Sequence, residues 1–175
     1  MQYRRAKTPG GTYFFTVVTF RRHKFLCEPD NVELLRTAFR TVKLAHPFTI
    51  DAFVLLPEHL HCIWSLPAGD ADFSLRWQRI KARFTRLCRG GGAVPAASAH
   101  QAAIWQKRFW EHLLRDDRDF ERHVDYIHFN PVKHGHTARA VDWLYSSIHQ
   151  YVRRGVLSPD WAEGGEIDGC VGERA

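Results

Sequence analysis

The stretch Phe53-Val54-Leu55-Leu56-Pro57-Glu58-His59-Leu60-His61-Cys62-Ile63-Trp64 leaves the chain few ways to fold. Four apolar residues run into a proline, and strict alternation begins just beyond it. Proline lacks a backbone donor and interrupts a strand, and a period of two marks a strand with unlike faces. The reading is a strand from Phe48 to Leu56, a turn at Pro57 and a second strand from His59 to Leu66, joined so tightly that an antiparallel hairpin follows. His59, His61, Ile63 and Ser65 share one face of that strand. Leu60, Cys62, Trp64 and Leu66 share the other and are core candidates. Two imidazoles about 6.6 Å apart at Cα can converge on one divalent cation. A histidine pair is also common on ordinary half-exposed strands, so a metal reading needs a partner elsewhere.

The rest of the chain supplies a frame for the hairpin. Thr12 to Phe20 is β-branched and aromatic, a first strand. The basic turn Arg21-Arg22-His23-Lys24 after it can touch phosphate or simply be solvated. Val32, Leu35, Phe39 and Val42 recur at helical spacing within Asn31 to Ala45, with Asp30 as the expected N-cap and Glu33 as its capping-box partner. Phe73, Trp77, Ile80, Phe84 and Leu87 form the apolar arc of a second helix, whose Arg76, Arg79, Arg83 and Arg86 gather on another arc. Such a stripe suits a nucleic-acid backbone, or is a solvated face. A Gly- and Ala-rich loop at about 89–101 follows. Ile104 to Leu114 reads as a fourth strand, and Asp116 or Asp117 as the cap of a third helix. Strand, helix, strand, strand, helix, strand, helix implies an α+β sandwich.

At 175 residues the chain suits one domain, set at 1–162 with a looser tail at 163–175. A net charge of +6 and a pI near 9.4 favour a polyanionic partner, though a merely basic protein has the same balance. The four cysteines form no CxxC pair, which suits reduced thiols in the cytoplasm. No run of residues is apolar enough to span a membrane.

The partner for the histidine pair lies far downstream, in Asp125-Tyr126-Ile127-His128-Phe129-Asn130-Pro131-Val132-Lys133-His134-Gly135. Phe120, Val124 and Ile127 make an apolar stripe. Asp119, His123, Tyr126 and Asn130 form a row beside it, three or four residues apart. Read by itself, Asn130 is equally a helix C-cap before Pro131.

A His-hydrophobic-His strand, then a helix with one tyrosine, then Asn-Pro-Val-Lys, resembles the single-tyrosine HUH transposases, and within them the REP-associated tyrosine transposases of bacteria. The resemblance runs from about Tyr13 to Trp161 and takes in the Trp143…Ser146-Ser147 segment. It implies a ferredoxin-like antiparallel sheet, with helices on one face and an open face that holds the metal site and the tyrosine helix. It implies a metal site of His59, His61 and Asn130 for magnesium or manganese, and Tyr126 as the nucleophile. That nucleophile would leave a 5′-phosphotyrosine and a free 3′-hydroxyl on single-stranded DNA near hairpins. His123 and Lys133 are then candidates for a base or a phosphate contact. Arg76, Arg79, Arg83, Arg86, Arg21, Arg22 and Lys24 are candidates for DNA contact, in a monomer or homodimer. The chain departs from the family at Glu58, where Asn is usual before the first histidine.

Two other readings fit the residues. One is a metal-dependent hydrolase that activates water with His59 and His61, Tyr126 being structural. The other is a non-catalytic single-strand binder, which would display aromatic residues on an open sheet face.

Overall fold

The computed structural model describes residues 7–90 and 103–163. Its strands are β1 (Thr12–Val18), β2 (Thr49–Leu55), β3 (His59–Ser65) and β4 (Trp110–Leu113), and its helices α1 (Pro29–Ala45), α2 (Phe73–Gly90), α3 (Asp117–Lys133) and α4 (Ile148–Arg153). The sheet order is β2-β3-β1-β4, with every neighbouring pair antiparallel. This is the ferredoxin-like arrangement.

Alternation divides the sheet between two cores. Tyr13, Phe15 and Val17 of β1 and Leu60, Cys62 and Trp64 of β3 face α1 and α2. There Trp64 stacks on Trp77 with ring centres 4.3 Å apart, and Phe39 meets Trp77 edge-on at 5.8 Å. Phe14, Ala52, Val54 and Ile63 face the other way, against Val124, Tyr126 and Ile127 of α3. The histidine face is therefore not open. The apolar stripe of α3 is buried on it, and His59 and His61 are both 0% exposed.

Several boundaries differ from expectation for local reasons. α1 starts at Pro29 behind Glu28, which makes no side-chain cap, so Asp30 lies in the first turn and Glu33 pairs with Arg36 instead. The fourth strand is confined to Trp110–Leu113, because Trp105 turns into the α2 core and makes only an isolated bridge to Thr19. Residues 89 and 90 of the loop set at about 89–101 are helical, since α2 continues to Gly90. Residues 91–101 of that loop and 164–175 of the tail lie outside the described residues.

α3 is capped as expected, the Asp116 side chain accepting from Asp119 N–H at 2.8 Å. It does not stop at Asn130, however. Pro131 sits inside the helix, and closure comes at Gly135. His136 N–H donates to the Pro131 carbonyl and Gly135 N–H to the Val132 carbonyl, both at 2.9 Å, with Gly135 at φ +70°. That pair of bonds is a Schellman closure, which requires a left-handed residue at Gly135.

The outer edge of β2 is covered by the chain after α3. Leu55 N–H donates to the Tyr145 carbonyl and Ser147 N–H to the Phe53 carbonyl, at 2.9 and 2.8 Å. Among the described residues no helix is long and apolar enough to cross a membrane.

Candidate active site

β3 carries the histidine pair into the layer under α3. The ring centres of His59 and His61 are 4.8 Å apart and nearly perpendicular. One nitrogen of each ring is engaged from the sheet. Glu58 Oε1 is 3.0 Å from His59 Nδ1, and Thr16 Oγ1 is 2.8 Å from His61 Nδ1. Bonds of this kind fix ring orientation and direct the opposite nitrogen, here Nε2, toward a ligand. Glu58, the departure from the family pattern, lies before the first residue of β3, where alternation does not yet apply, and its carboxylate closes on the His59 ring. That hydrogen bond holds the Glu58 carboxyl below its usual range, against the effect of burial and with help from Lys24.

The third helix supplies the remaining groups. Tyr126 is 6% exposed, and its ring meets that of His61 edge-on at 5.2 Å. The Lys133 ammonium lies 4.8 Å from the centre of the Tyr126 ring. Asn130, one turn after Tyr126, is 0% exposed, and neither of its amide atoms has a hydrogen-bond partner among the described residues. A buried amide left unmet costs about 1–3 kcal/mol. An oxygen in that position beside two imidazoles is a suitable donor for a divalent ion, so His59, His61 and Asn130 fit one.

His134 belongs to the same neighbourhood and was missed in the sequence. As the C-cap of α3 it brings its ring to 5.5 Å from His59. The signal was Gly135, which marks the helix end one residue later.

His123 lies elsewhere. Its Nδ1 donates to the Asp119 carbonyl at 2.7 Å, and its ring stacks near that of His112. Burial pushes its pKa down. Both His123 and Tyr126 pack on Phe14.

The arginine stripe breaks at its first member. Arg76 is 2% exposed and faces inward. Its guanidinium forks onto Asp70 at 2.7 and 3.1 Å and donates to the carbonyls of His46, Pro47 and Asp72. Five donors satisfied by protein leave none for phosphate, so Arg76 is a structural residue and not a DNA contact. Arg79 and Arg86 are exposed, and Arg83 is half-buried. With Lys81, Arg89, Trp105 and Lys107, Arg86 lines a groove of about 530 Å³.

Arg21, Arg22 and Lys24 are exposed. Arg21 and Arg22 both adopt positive φ, 53° and 54°, in the 3-10 turn after β1. Such backbone is unfavourable for side chains of this kind by about 1–2 kcal/mol per residue. The turn is pinned to the site: Thr19 N–H and Oγ1–H both donate to the Glu58 carbonyl at 2.9 Å.

Known proteins are similar to this chain along nearly its whole length. No protein-family model matches the chain. The REP-associated tyrosine transposase of Escherichia coli (strain K12) is 46% identical over 173 residues, covering 99% of this chain and 97% of that protein. A Haemophilus influenzae (strain ATCC 51907 / DSM 11121 / KW20 / Rd) protein, provisionally given the same family name, is 40% identical over 170 residues, 95% of this chain and 94% of its own. A solved structure of the REP-associated tyrosine transposase bound to a REP hairpin superposes with a TM-score of 0.84 at 46% identity, covering 100% of this chain and 98% of that one.

Proposed function

The chain belongs to the REP-associated tyrosine transposases, and from that premise we propose that it cuts and rejoins single-stranded DNA beside REP-type hairpins through Tyr126. The Tyr126 oxygen attacks a backbone phosphorus. The bond to the 3′ oxygen breaks, that oxygen leaves as a hydroxyl, and the 5′ phosphate stays esterified to the tyrosine. Attack by a 3′-hydroxyl on this ester reverses the step and restores both the strand and the phenol, without ATP.

His59, His61 and Asn130 would hold magnesium or manganese, which when bound supplies positive charge to the phosphate oxygens. Glu58 and Thr16 keep the two rings turned toward that position. Lys133, rather than His123, is assigned to Tyr126: a cation over an aromatic ring favours the electron-rich phenolate over the phenol, and His123 is turned to Asp119 instead. Arg21, Arg22 and Lys24 flank the site next to Glu58, and the groove of Arg86, Arg89 and Lys107 continues from the same turn, because Trp105 bridges Thr19. Arg79, Arg83 and Arg86 extend that basic surface for the backbone of the DNA.

The observation that carries the proposal is the meeting of the Tyr126 and His61 rings at 5.2 Å. The experiment is incubation with a single-stranded REP hairpin and manganese, read on a denaturing gel. Wild type gives a covalent protein–DNA band and Tyr126→Phe gives none. Cutting that persists in Tyr126→Phe would mean that water is the nucleophile and the tyrosine is structural.

A further inference from the structure

A second cluster of ligand-forming side chains lies where α3 leaves β4. His112 Nε2 is 2.9 Å from Asp119 Oδ2, and His123 Nδ1 is 3.2 Å from Asp119 Oδ1. One ligand atom from each of the three falls within 4.8 Å of the other two. The two imidazole centres are 4.9 Å apart, close to the 4.8 Å that separates His59 and His61. Donors bound about 2.0–2.2 Å from one small ion stand about 3 Å from each other; the two His–Asp separations, 2.9 and 3.2 Å, are of that size, and an ion would draw the whole set in from 4.8 Å. Asp119 and His123 are one turn apart on α3, while His112 comes from β4, paired with Phe14 of β1. The cluster is sheltered on one side only: the side chains of His112 and Asp119 keep 26% and 22% exposure, and that of His123 keeps 4%.

We propose that His112, Asp119 and His123 form a second divalent-cation site, separate from His59 and His61, that takes a borderline ion such as zinc or cobalt. Two imidazoles and one carboxylate are a common donor set for such ions. The open side leaves room for water to complete the coordination.

In the structure His123 Nδ1 donates to the Asp119 carbonyl at 2.7 Å. An ion there takes the Nδ1 lone pair of His123 and the Nε2 lone pair of His112; each neutral ring then carries its proton on its other nitrogen, so no net proton is released. Asp119 is already a carboxylate at neutral pH. Burial pushes it up, but hydrogen bonds from His112 and the Arg115 N–H outweigh that. The ion joins the first turn of α3 to β4 and so steadies the helix that presents Tyr126 one turn beyond His123. This is a structural clamp with no part in bond breaking.

The test uses the full chain carrying His59→Ala and His61→Ala, so that only the second cluster can report. Cobalt(II) is titrated and followed by visible absorption, with zinc as competitor and the melting temperature recorded alongside. The expected result is one cobalt bound per chain, with absorption bands displaced by zinc and a raised melting temperature. Adding His112→Gln removes both effects. A folded double variant that binds no cobalt overturns the proposal. So do bands that survive both His112→Gln and, separately, Asp119→Asn, since the three residues then only hydrogen-bond to one another. If the double variant does not fold, wild type serves: two cobalt ions against one in His112→Gln support the site, and equal numbers refute it. No DNA enters the measurement, so its outcome is independent of whether Tyr126 is the nucleophile.

Discussion

The Lys133 ammonium stands 4.8 Å from the centre of the Tyr126 ring, two helical turns along α3 from the residue it covers. Pro131 lies between them, and the helix continues through it to Gly135.

Lys133→Gln is expected to slow formation of the covalent adduct about two- to fivefold. Lys133 is exposed, a cation of that kind over a ring contributes about 0.5–1 kcal/mol, and about 1.4 kcal/mol corresponds to a factor of ten. Lys133→Arg should keep most of the rate, and metal affinity should be unchanged in both. Single-turnover adduct yields on a labelled hairpin give the comparison; an equal loss in the arginine variant would show that the ring contact is not what matters.

Asn130→Ala separates a ligand from a merely buried amide. The amide is unmet by other described residues, so its removal should leave the melting temperature of the metal-free protein unchanged or slightly raised. Manganese dependence of cleavage should shift to higher concentration, with some adduct still formed through Tyr126. A large drop in stability with wild-type metal dependence would instead assign Asn130 to the scaffold.

Arginines of α2 should divide into two kinds. Arg76→Ala removes the partner of a partly exposed Asp70 carboxylate and the side-chain donor to the carbonyls of His46, Pro47 and Asp72; it should cost about 1–3 kcal/mol of stability, with no specific effect on DNA binding by the protein that remains folded. Charge reversal at Arg79 and Arg86 should leave stability nearly unaltered and flatten the salt dependence of hairpin binding. Chemical denaturation and binding at several salt concentrations distinguish the two.

Acid should weaken the fold through His128. Burial, with a contribution from His149, pushes its pKa down to about 3. The unfolded chain takes up a proton near pH 6.5 while the folded chain stays neutral, so the stability is complete above about pH 6.5 and falls progressively toward pH 3. The loss is about 2 kcal/mol by pH 5. Urea melts at pH 7 and pH 5 measure it. His128→Phe should give a smaller difference between the two, although the loss of the 2.8 Å bond to Ser147 lowers stability at both.

The histidine pair and the tyrosine helix were legible because each is periodic: alternation set the faces of β3, and a spacing of three or four set the rows of α3. What periodicity does not encode is which partner a side chain finds. Arg76 belongs to its arc by angle, yet Asp70 and three carbonyls draw it inward. The covering of the histidine face required knowing that Val124 and Ile127 dock on Val54 and Ile63. Pro131 suggested a helix end, but a helix can hold proline when a later glycine provides the closure. Glu58 showed itself as a departure from family pattern, while its bond to His59 depended on a turn geometry that the letters alone do not carry.

The strip of chain at Tyr145 to Ser147 has a bearing on misassembly. An uncovered sheet margin is a template on which other polypeptides can pair. β2 is the outermost long strand, and Phe53, Val54 and Leu55 would offer such a template if the strip were missing. The bonds from Leu55 to Tyr145 and from Ser147 to Phe53 occupy it, and the opposite margin is only the four residues of β4. A chain cut short before Tyr145 would keep its histidine pair, its tyrosine and the helix that bears it, and would lose its protection against aggregating with its own copies.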